Sequence, residues 1–222
     1  MKIWHGITFP SSELHLIEWM QQTNQIAADG LPAYQLHKYR AALEFTHRHR
    51  TAVDVGANIG MWSRVMALDF QTVFAFEPVD AFADCWRANV KAHNAHLRRV
   101  ALGAAPGIVA MKNVTPNSCG DTTVDVGQVG ELMNGVEMVT LDSLDLSHVD
   151  FLKADCEGYE LFVMQGAVET IKRCRPTIVV EQKPGHGATF GLEDDAAVQF
   201  LKTLGMETRR VISGDYIMEF PR

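Results

Sequence analysis

A short apolar run that ends in a glycine turn and opens into a helix constrains this chain more than any other feature. Residues 51–60 are Thr-Ala-Val-Asp-Val-Gly-Ala-Asn-Ile-Gly. Thr51 to Val55 has the length and β-branched content of a buried strand. Gly56 and Gly60 follow, where a missing side chain lets the backbone come close to a ligand. Trp62, Val65 and Met66 then recur at helical spacing. A strand that turns on glycine directly into a helix belongs to a sheet whose strands alternate with helices.

The same alternation runs through much of the chain. Thr72 to Phe76, Val100 to Leu102, Val149 to Ala154 and Thr177 to Glu181 read as further strands. Phe82, Cys85, Trp86 and Val90 mark one helix between them, and Leu161, Met164, Val168 and Ile171 another. Ala197, Leu201 and Leu204 mark the last helix, and Glu207–Ile212 and Tyr216–Phe220 flank Ser213-Gly214-Asp215 as a closing hairpin. The predicted fold class is α/β: a mostly parallel sheet with helices on both faces and an antiparallel C-terminal hairpin. Residues 1–50 read as an N-terminal helical extension broken at Gly30-Leu31-Pro32, and residues 51–222 as the main domain. Residues 103–140 read as an irregular insert with small strands at Ile108–Lys112 and Val136–Leu141.

Composition removes several classes. At 222 residues with 47% hydrophobic and 21% charged residues, the chain has an ordinary globular balance, unlike a disordered, collagenous or coiled-coil chain. The net charge of −7 disfavours a dedicated grip on the phosphate backbone of nucleic acid. No apolar run reaches the ~18 residues of a membrane span. The first residues lack a signal-peptide core, and Cys85, Cys119, Cys156 and Cys174 form no paired motif, so a cytoplasmic chain with free thiols is expected.

Sheets of this kind bind ligands at the carboxyl ends of their strands, and three motifs fall there. The first is the glycine turn itself, a D-x-G-x-x-x-G pattern rather than the dinucleotide fingerprint. That spacing suits a nucleoside with an amino-acid tail; without a ligand it is simply a tight turn. The second is Glu77, which follows the strand after the turn and lies 77 − 54 = 23 residues past Asp54. An acid about 20 residues beyond such a turn is placed to accept both ribose hydroxyls. The third is Asp155-Cys156-Glu157-Gly158-Tyr159-Glu160, with three carboxylates at one strand end. Glu160 could simply complement a helix N-terminus. Asp155 and Glu157 could hold a cation, but two carboxylates are a thin ligand set. No metal is therefore expected, and chelation should leave the reaction intact.

The set VDVGANIG, AFEP, VALG, TLDSL, FLKADCEGYE and RPTIVVE resembles the FkbM-type family of S-adenosylmethionine-dependent methyltransferases over about residues 34 to 220. The resemblance implies a Rossmann-like, seven-stranded sheet and transfer of a methyl group, usually to a hydroxyl oxygen. It implies that Asp54, Gly56, Asn58 and Gly60 surround the methionine end of the cofactor, that Glu77 binds the ribose, and that Ala101 and Leu102 flank the adenine. Asp155 and Glu157 would face the reacting end. The family often has an acid after the third-strand glycine, where this chain has Gly103-Ala104-Ala105. Val79 and Phe82 are candidates for apolar adenine packing, with core packing the favoured role for Phe82.

A hydroxyl acceptor calls for a nearby base, with Asp155, Glu157, Glu181, Lys183 and His186 as candidates. His186 sits on a Gly-rich loop after a strand, on the substrate side, and histidine titrates near neutrality. Residues Asn117-Ser118-Cys119-Gly120 form a candidate substrate rim, and His47-Arg48-His49-Arg50 a cap on the preceding helix. A small molecule or sugar is the expected acceptor. A nucleic acid or modified nucleotide is the alternative, and a non-catalytic cofactor-binding module a third reading.

Overall fold

The central strands are buried on both faces, so alternate residues of each pack against different helices. The computed structural model describes residues 1–113, 118, 122–125 and 135–221. A hairpin of β1 (Lys2–Trp4) and β2 (Ile7–Phe9) opens the chain, followed by α1 (His15–Thr23) and α2 (Leu36–Leu43). Residues 1–50 are thus not wholly helical. His5 and Gly6 both take positive φ, which makes the tight turn that local apolar patterning could not signal.

The main sheet begins with β3 (Thr51–Val55), α3 (Met61–Asp69), β4 (Thr72–Phe76), α4 (Asp80–Asn89) and β5 (Ala95–Arg98). A four-stranded excursion follows: β6 (Ala101–Leu102), β7 (Gly107–Asn113), β8 (Thr122–Asp125) and β9 (Val136–Val139). The chain then returns through β10 (Phe151–Ala154), α5 (Glu160–Gln165), α6 (Val168–Cys174), β11 (Thr177–Glu181) and α7 (Ala196–Thr203), and closes on β12 (Glu207–Ile212) and β13 (Asp215–Glu219).

The seven strands lie in the order β12-β13-β11-β10-β3-β4-β5. From β11 to β5 every neighbour is parallel; β13 is antiparallel to both β11 and β12. The sheet is therefore mixed, with the hairpin at one edge. The strand order reverses between β3 and β10, and that crevice is where such a sheet binds ligands.

Two sequence expectations need correcting. The third strand out from the crevice is Ala95–Arg98, not the Val100–Leu102 run, which pairs with β9 in the smaller sheet. Ala95–Arg98 alternates half-buried and exposed residues at a sheet edge, so it lacks the apolar run of a central strand. The His47–Arg50 run does not cap α2, which ends at Leu43. It clasps the sheet instead. Arg50 makes a two-pronged bond to Asp150 through Nε (3.0 Å) and Nη2 (2.6 Å), and His47 Nε2 lies 2.7 Å from Glu219 Oε1.

Val53, Val55, Leu152, Ala154, Ile178 and Val180 pack against α5, α6 and α7. The residues of opposite parity, Ala52, Phe151 and Val179, pack against α2 and α3 with Leu36, Tyr39, Trp62 and Met66. Residues 27–42 thus share a core with the sheet. Lys38, from α2, forms a buried ion pair with Asp215 at the start of β13. Among the described residues, no helix is long and apolar enough to cross a membrane.

Candidate active site

The crevice between β3 and β10 opens into a cavity. Its floor is Val55, Gly56, Ala57 and Asn58 from the glycine turn, and one wall is Phe76, Glu77 and Pro78 at the end of β4. Ala101 and Leu102 line the far end, with Phe82. Asp155, Cys156 and Glu157 line the near end, with Lys153 and Lys183.

Gly56 is where the turn needs glycine. Its φ is +70°, and a Cβ there would overlap the carbonyl oxygen of Asp155. The ends of β3 and β10 therefore approach as backbone against backbone. Gly56 N and Ala57 N donate to Phe76 O at 3.1 and 3.0 Å, which ties the turn to β4. Asn58 also has positive φ, and its side chain accepts from Ile59 N at 2.7 Å.

Glu77 is buried. Its Oε2 accepts from Asn58 N at 2.7 Å and its Oε1 from Val79 N at 2.8 Å. Each carboxylate oxygen can accept a second bond, so the acid holds the turn and still has acceptor capacity for a diol. Burial pushes its pKa up to about 7, against the opposing pull of those two backbone bonds.

Asp54 and Gly60 do not line the cavity. Asp54 shares a face with Ala52 and sits directly opposite Lys153 across the parallel β3–β10 pair. It is fully buried, accepts from Ser63 Oγ at 2.6 Å, and has Lys153 Nζ at 3.4 Å. Gly60, at φ +89°, leaves room for Trp86 and Val90 against α3. Both residues support the turn from behind. Val79 likewise packs in a neighbouring core rather than on the wall.

Lys153 is a residue that motif spacing alone did not single out. It is buried on β10 and donates to Val55 O at 3.3 Å and Gly56 O at 2.9 Å, while facing Asp54 and Asp155. A lysine inside the otherwise apolar run Phe-Leu-Lys-Ala was its signal, since a buried ammonium needs a carboxylate partner. Burial lowers its pKa, but Asp54 and Asp155 more than offset that and keep it charged. Tyr34, from the N-terminal segment, and Met111, Thr122 and Val124, from the smaller sheet, also reach the cavity. Nothing in their local sequence marks them.

Asp155 ends β10 beside this lysine. Burial raises its pKa; Lys153 at 4.0 Å and then Lys183 outweigh burial and hold it below the usual aspartate value. It is a carboxylate at neutral pH. Glu181, at the end of β11, goes the other way: burial, with the Asp155 charge beside it, raises it well above the usual glutamate value. Glu160 is structural. Its Oε1 accepts from Cys156 N at 2.7 Å and Gly158 N at 3.2 Å and so shapes the Asp155–Gly158 turn.

His186 is off the cavity wall, behind Glu157, with Nδ1 2.9 Å from Glu157 Oε2. Cys156 has its pKa raised well above the usual thiol value, first by burial and then by Glu160, so it is no nucleophile. Of the candidate rim, Asn117, Cys119 and Gly120 lie outside the described residues, and Ser118 is buried.

A family model described as the Methyltransferase FkbM domain matches residues 54–208. No curated protein matches the chain in sequence. Among solved structures, a methyltransferase FkbM from Methylobacillus flagellatus superposes with a TM-score of 0.51 at 15% identity. The match covers 78% of this chain and 44% of that one. This chain thus spans less than half the length of that protein, and the likeness is one of fold. A TehB-like SAM-dependent methyltransferase from Corynebacterium glutamicum (TM-score 0.46, 12% identity, covering 94% and 98% of the two chains) is a looser match. So is an rRNA methylase from Streptococcus thermophilus (0.48, 12%, 85% and 98%). Below 0.5, neither adds to the first.

Proposed function

The chain belongs to the FkbM methyltransferase family, and we propose that it transfers a methyl group from S-adenosylmethionine to a hydroxyl oxygen of a small molecule or sugar. The observation that carries this reading is a single cavity at the β3–β10 crevice whose lining includes Gly56, Glu77 and Asp155. The residues present fit the cofactor. Gly56 lets the turn close on the Asp155 carbonyl with no side chain between them, and Glu77 keeps spare acceptor capacity for two ribose hydroxyls. Ala101, Leu102 and Phe82 offer an apolar slot for an adenine. Asn58 lies on the floor beside Gly56 for the methionine end.

When bound, S-adenosylmethionine supplies an electrophilic sulfonium methyl. Holding an acceptor oxygen in line with such a methyl supplies much of the rate. Asp155, as a carboxylate, accepts a hydrogen bond from the acceptor hydroxyl and fixes its direction. Its low pKa makes it a better positioning group than proton sink. Glu157, on the same wall with His186 behind it, is the candidate path for the proton. The acids Asp155 and Glu157 on the cavity lining disfavour a polyanionic acceptor, which supports a small molecule over nucleic acid. The free thiols Cys85, Cys156 and Cys174 support a reducing, cytoplasmic setting. We further assign substrate choice to residues 1–50, 103–135 and 183–192, and the S-adenosylmethionine-binding methyltransferase domain to residues 51–222.

Calorimetric titration with S-adenosylmethionine tests the cofactor site. Glu77→Ala should bind roughly ten- to a hundredfold more weakly, the loss of about 1.5 to 3 kcal/mol in hydrogen bonds to a charged group. Equal affinity would remove Glu77 from the site.

The pH dependence has a definite sign. A raised carboxyl pKa means that the folded state holds the proton more tightly than the unfolded one. This contribution to stability is complete below about 4.5 and is lost as pH rises through about 7. Glu77→Gln should therefore stabilise the cofactor-free protein at pH 8 against urea, while weakening cofactor binding. Wild-type affinity should fall as pH drops below about 7, and Glu77→Gln should flatten that dependence.

A further inference from the structure

In the sequence only Asp155 and Glu157 stand together, and the expectation of a metal-free site rests on the lack of a third ligand. The tertiary structure removes that ground. Parallel pairing of β10 with β11 sets Glu181 beside the turn that follows β10. The loop after β11 then returns His186 to Glu157, at 2.9 Å. One ligand atom from each of Glu157, Glu181 and His186 lies within 4.8 Å of the others.

Glu181 supplies an independent observation. It is 2% exposed, with both carboxylate oxygens buried beside Asp155 and Lys183. The ammonium of Lys183 stands 2.7 Å from Oε1 as an ion-pair neighbour. A carboxylate buried in this way is costly unless a cation compensates it. Lys183 provides some of that compensation, but its side chain is 38% exposed and can turn out to solvent.

We propose that Glu157, Glu181 and His186 form a divalent-cation site at the acceptor end of the methyl-transfer cavity. The proposal rests on the methyltransferase reading only for what the cation does, not for its binding. One imidazole nitrogen with two carboxylates suits a first-row ion such as Mn²⁺ or Zn²⁺ better than Ca²⁺, whose sites are built from oxygen alone. Three protein ligands leave coordination positions for water or for acceptor oxygens. Of the three ligands, Glu157 lines the cavity, together with Asp155.

Two backbone features hold the ligands together. A Cβ on Gly158 would overlap the carbonyl oxygen of His186, so the two loops meet with no side chain between them. Glu157 itself takes a left-handed φ of +54°, a conformation that costs a non-glycine residue energy.

The test uses the whole chain, freed of metal by chelator and desalting. Mn²⁺ binding is followed by loss of the free-ion electron-spin signal and by calorimetry. Wild type should bind one saturable equivalent. Glu157→Gln and His186→Ala should each weaken binding by at least about tenfold, since outer-shell changes alone cost that much. Lys183→Met should tighten it, because a competing cation is removed. His47→Ala, which alters the separate His47–Glu219 pair, should change nothing.

Absence of saturable binding at millimolar Mn²⁺ overturns the site, as does binding that survives both ligand substitutions. Titrating S-adenosylmethionine on the same samples separates the two claims. A protein that binds the methyl donor but no Mn²⁺ overturns the cation site and leaves the methyltransferase reading intact. The reverse pattern overturns that reading and leaves the cation site standing.

Discussion

Asp155→Asn should lower single-turnover methyl transfer at saturating cofactor by at least roughly a hundredfold while the protein stays folded. Asp155 directly follows β10 at the reversal of strand order and lines the same cavity as Glu77. Its charge is maintained by Lys153 and Lys183 against the cost of burial. The amide keeps the size of the side chain and loses the charge. Lys153 keeps Asp54 as a partner, so the strand pairing should survive. The assay scores labelled methyl transfer to a panel of hydroxylated small molecules and sugars, with folding checked by cofactor titration. A folded variant with near wild-type rate would sink the assignment. His186→Ala should cost less, because His186 acts from behind Glu157. If its pH–rate profile instead loses the neutral-range limb, the base role passes to His186.

The second large effect belongs to the glycine turn. Gly56→Ala should reduce S-adenosylmethionine affinity at least about a hundredfold, or 2.7 kcal/mol. Two costs add. A left-handed φ costs an alanine roughly 1–2 kcal/mol. The new Cβ would also overlap a backbone carbonyl, that of Asp155, which cannot rotate away as a side-chain tip can. Relief requires β3 and β10 to part at the point where the cavity floor meets Asp155. Gly30→Ala separates the two costs. Its φ is +80°, but a Cβ there meets nothing within 4 Å. That variant should lose only about 1–2 kcal/mol in urea unfolding and keep its cofactor affinity. Wild-type binding by Gly56→Ala would show that the β3–β10 crevice does not hold the cofactor.

The sequence by itself determined the elements whose periodicity is local. Thr51–Val55, Thr72–Phe76, Thr177–Glu181 and Glu207–Ile212 are apolar or bounded runs, and the structure has strands over those same residues. The glycine turn, Glu77 and Asp155 were legible because strand ends at a reversal of strand order are where such a sheet gathers its chemistry. Ala95–Arg98 was not, since an edge strand needs no apolar run; nor was the N-terminal hairpin, which depends on two positive-φ residues.

Tertiary structure alone decided what each side chain faces. Asp54 is adjacent in sequence to cavity residues, yet the two-residue period of a strand turns it to the opposite face, where β10 presents Lys153 to it. Glu157, Glu181 and His186 lie 24 and 5 residues apart, and no local pattern links them. They meet because β10 and β11 are adjacent and parallel, so both strands release their following loops at the same edge of the sheet. Local spacing sets which residues reach a strand end, but strand order and pairing, made of contacts distant in sequence, set which strand ends share a site.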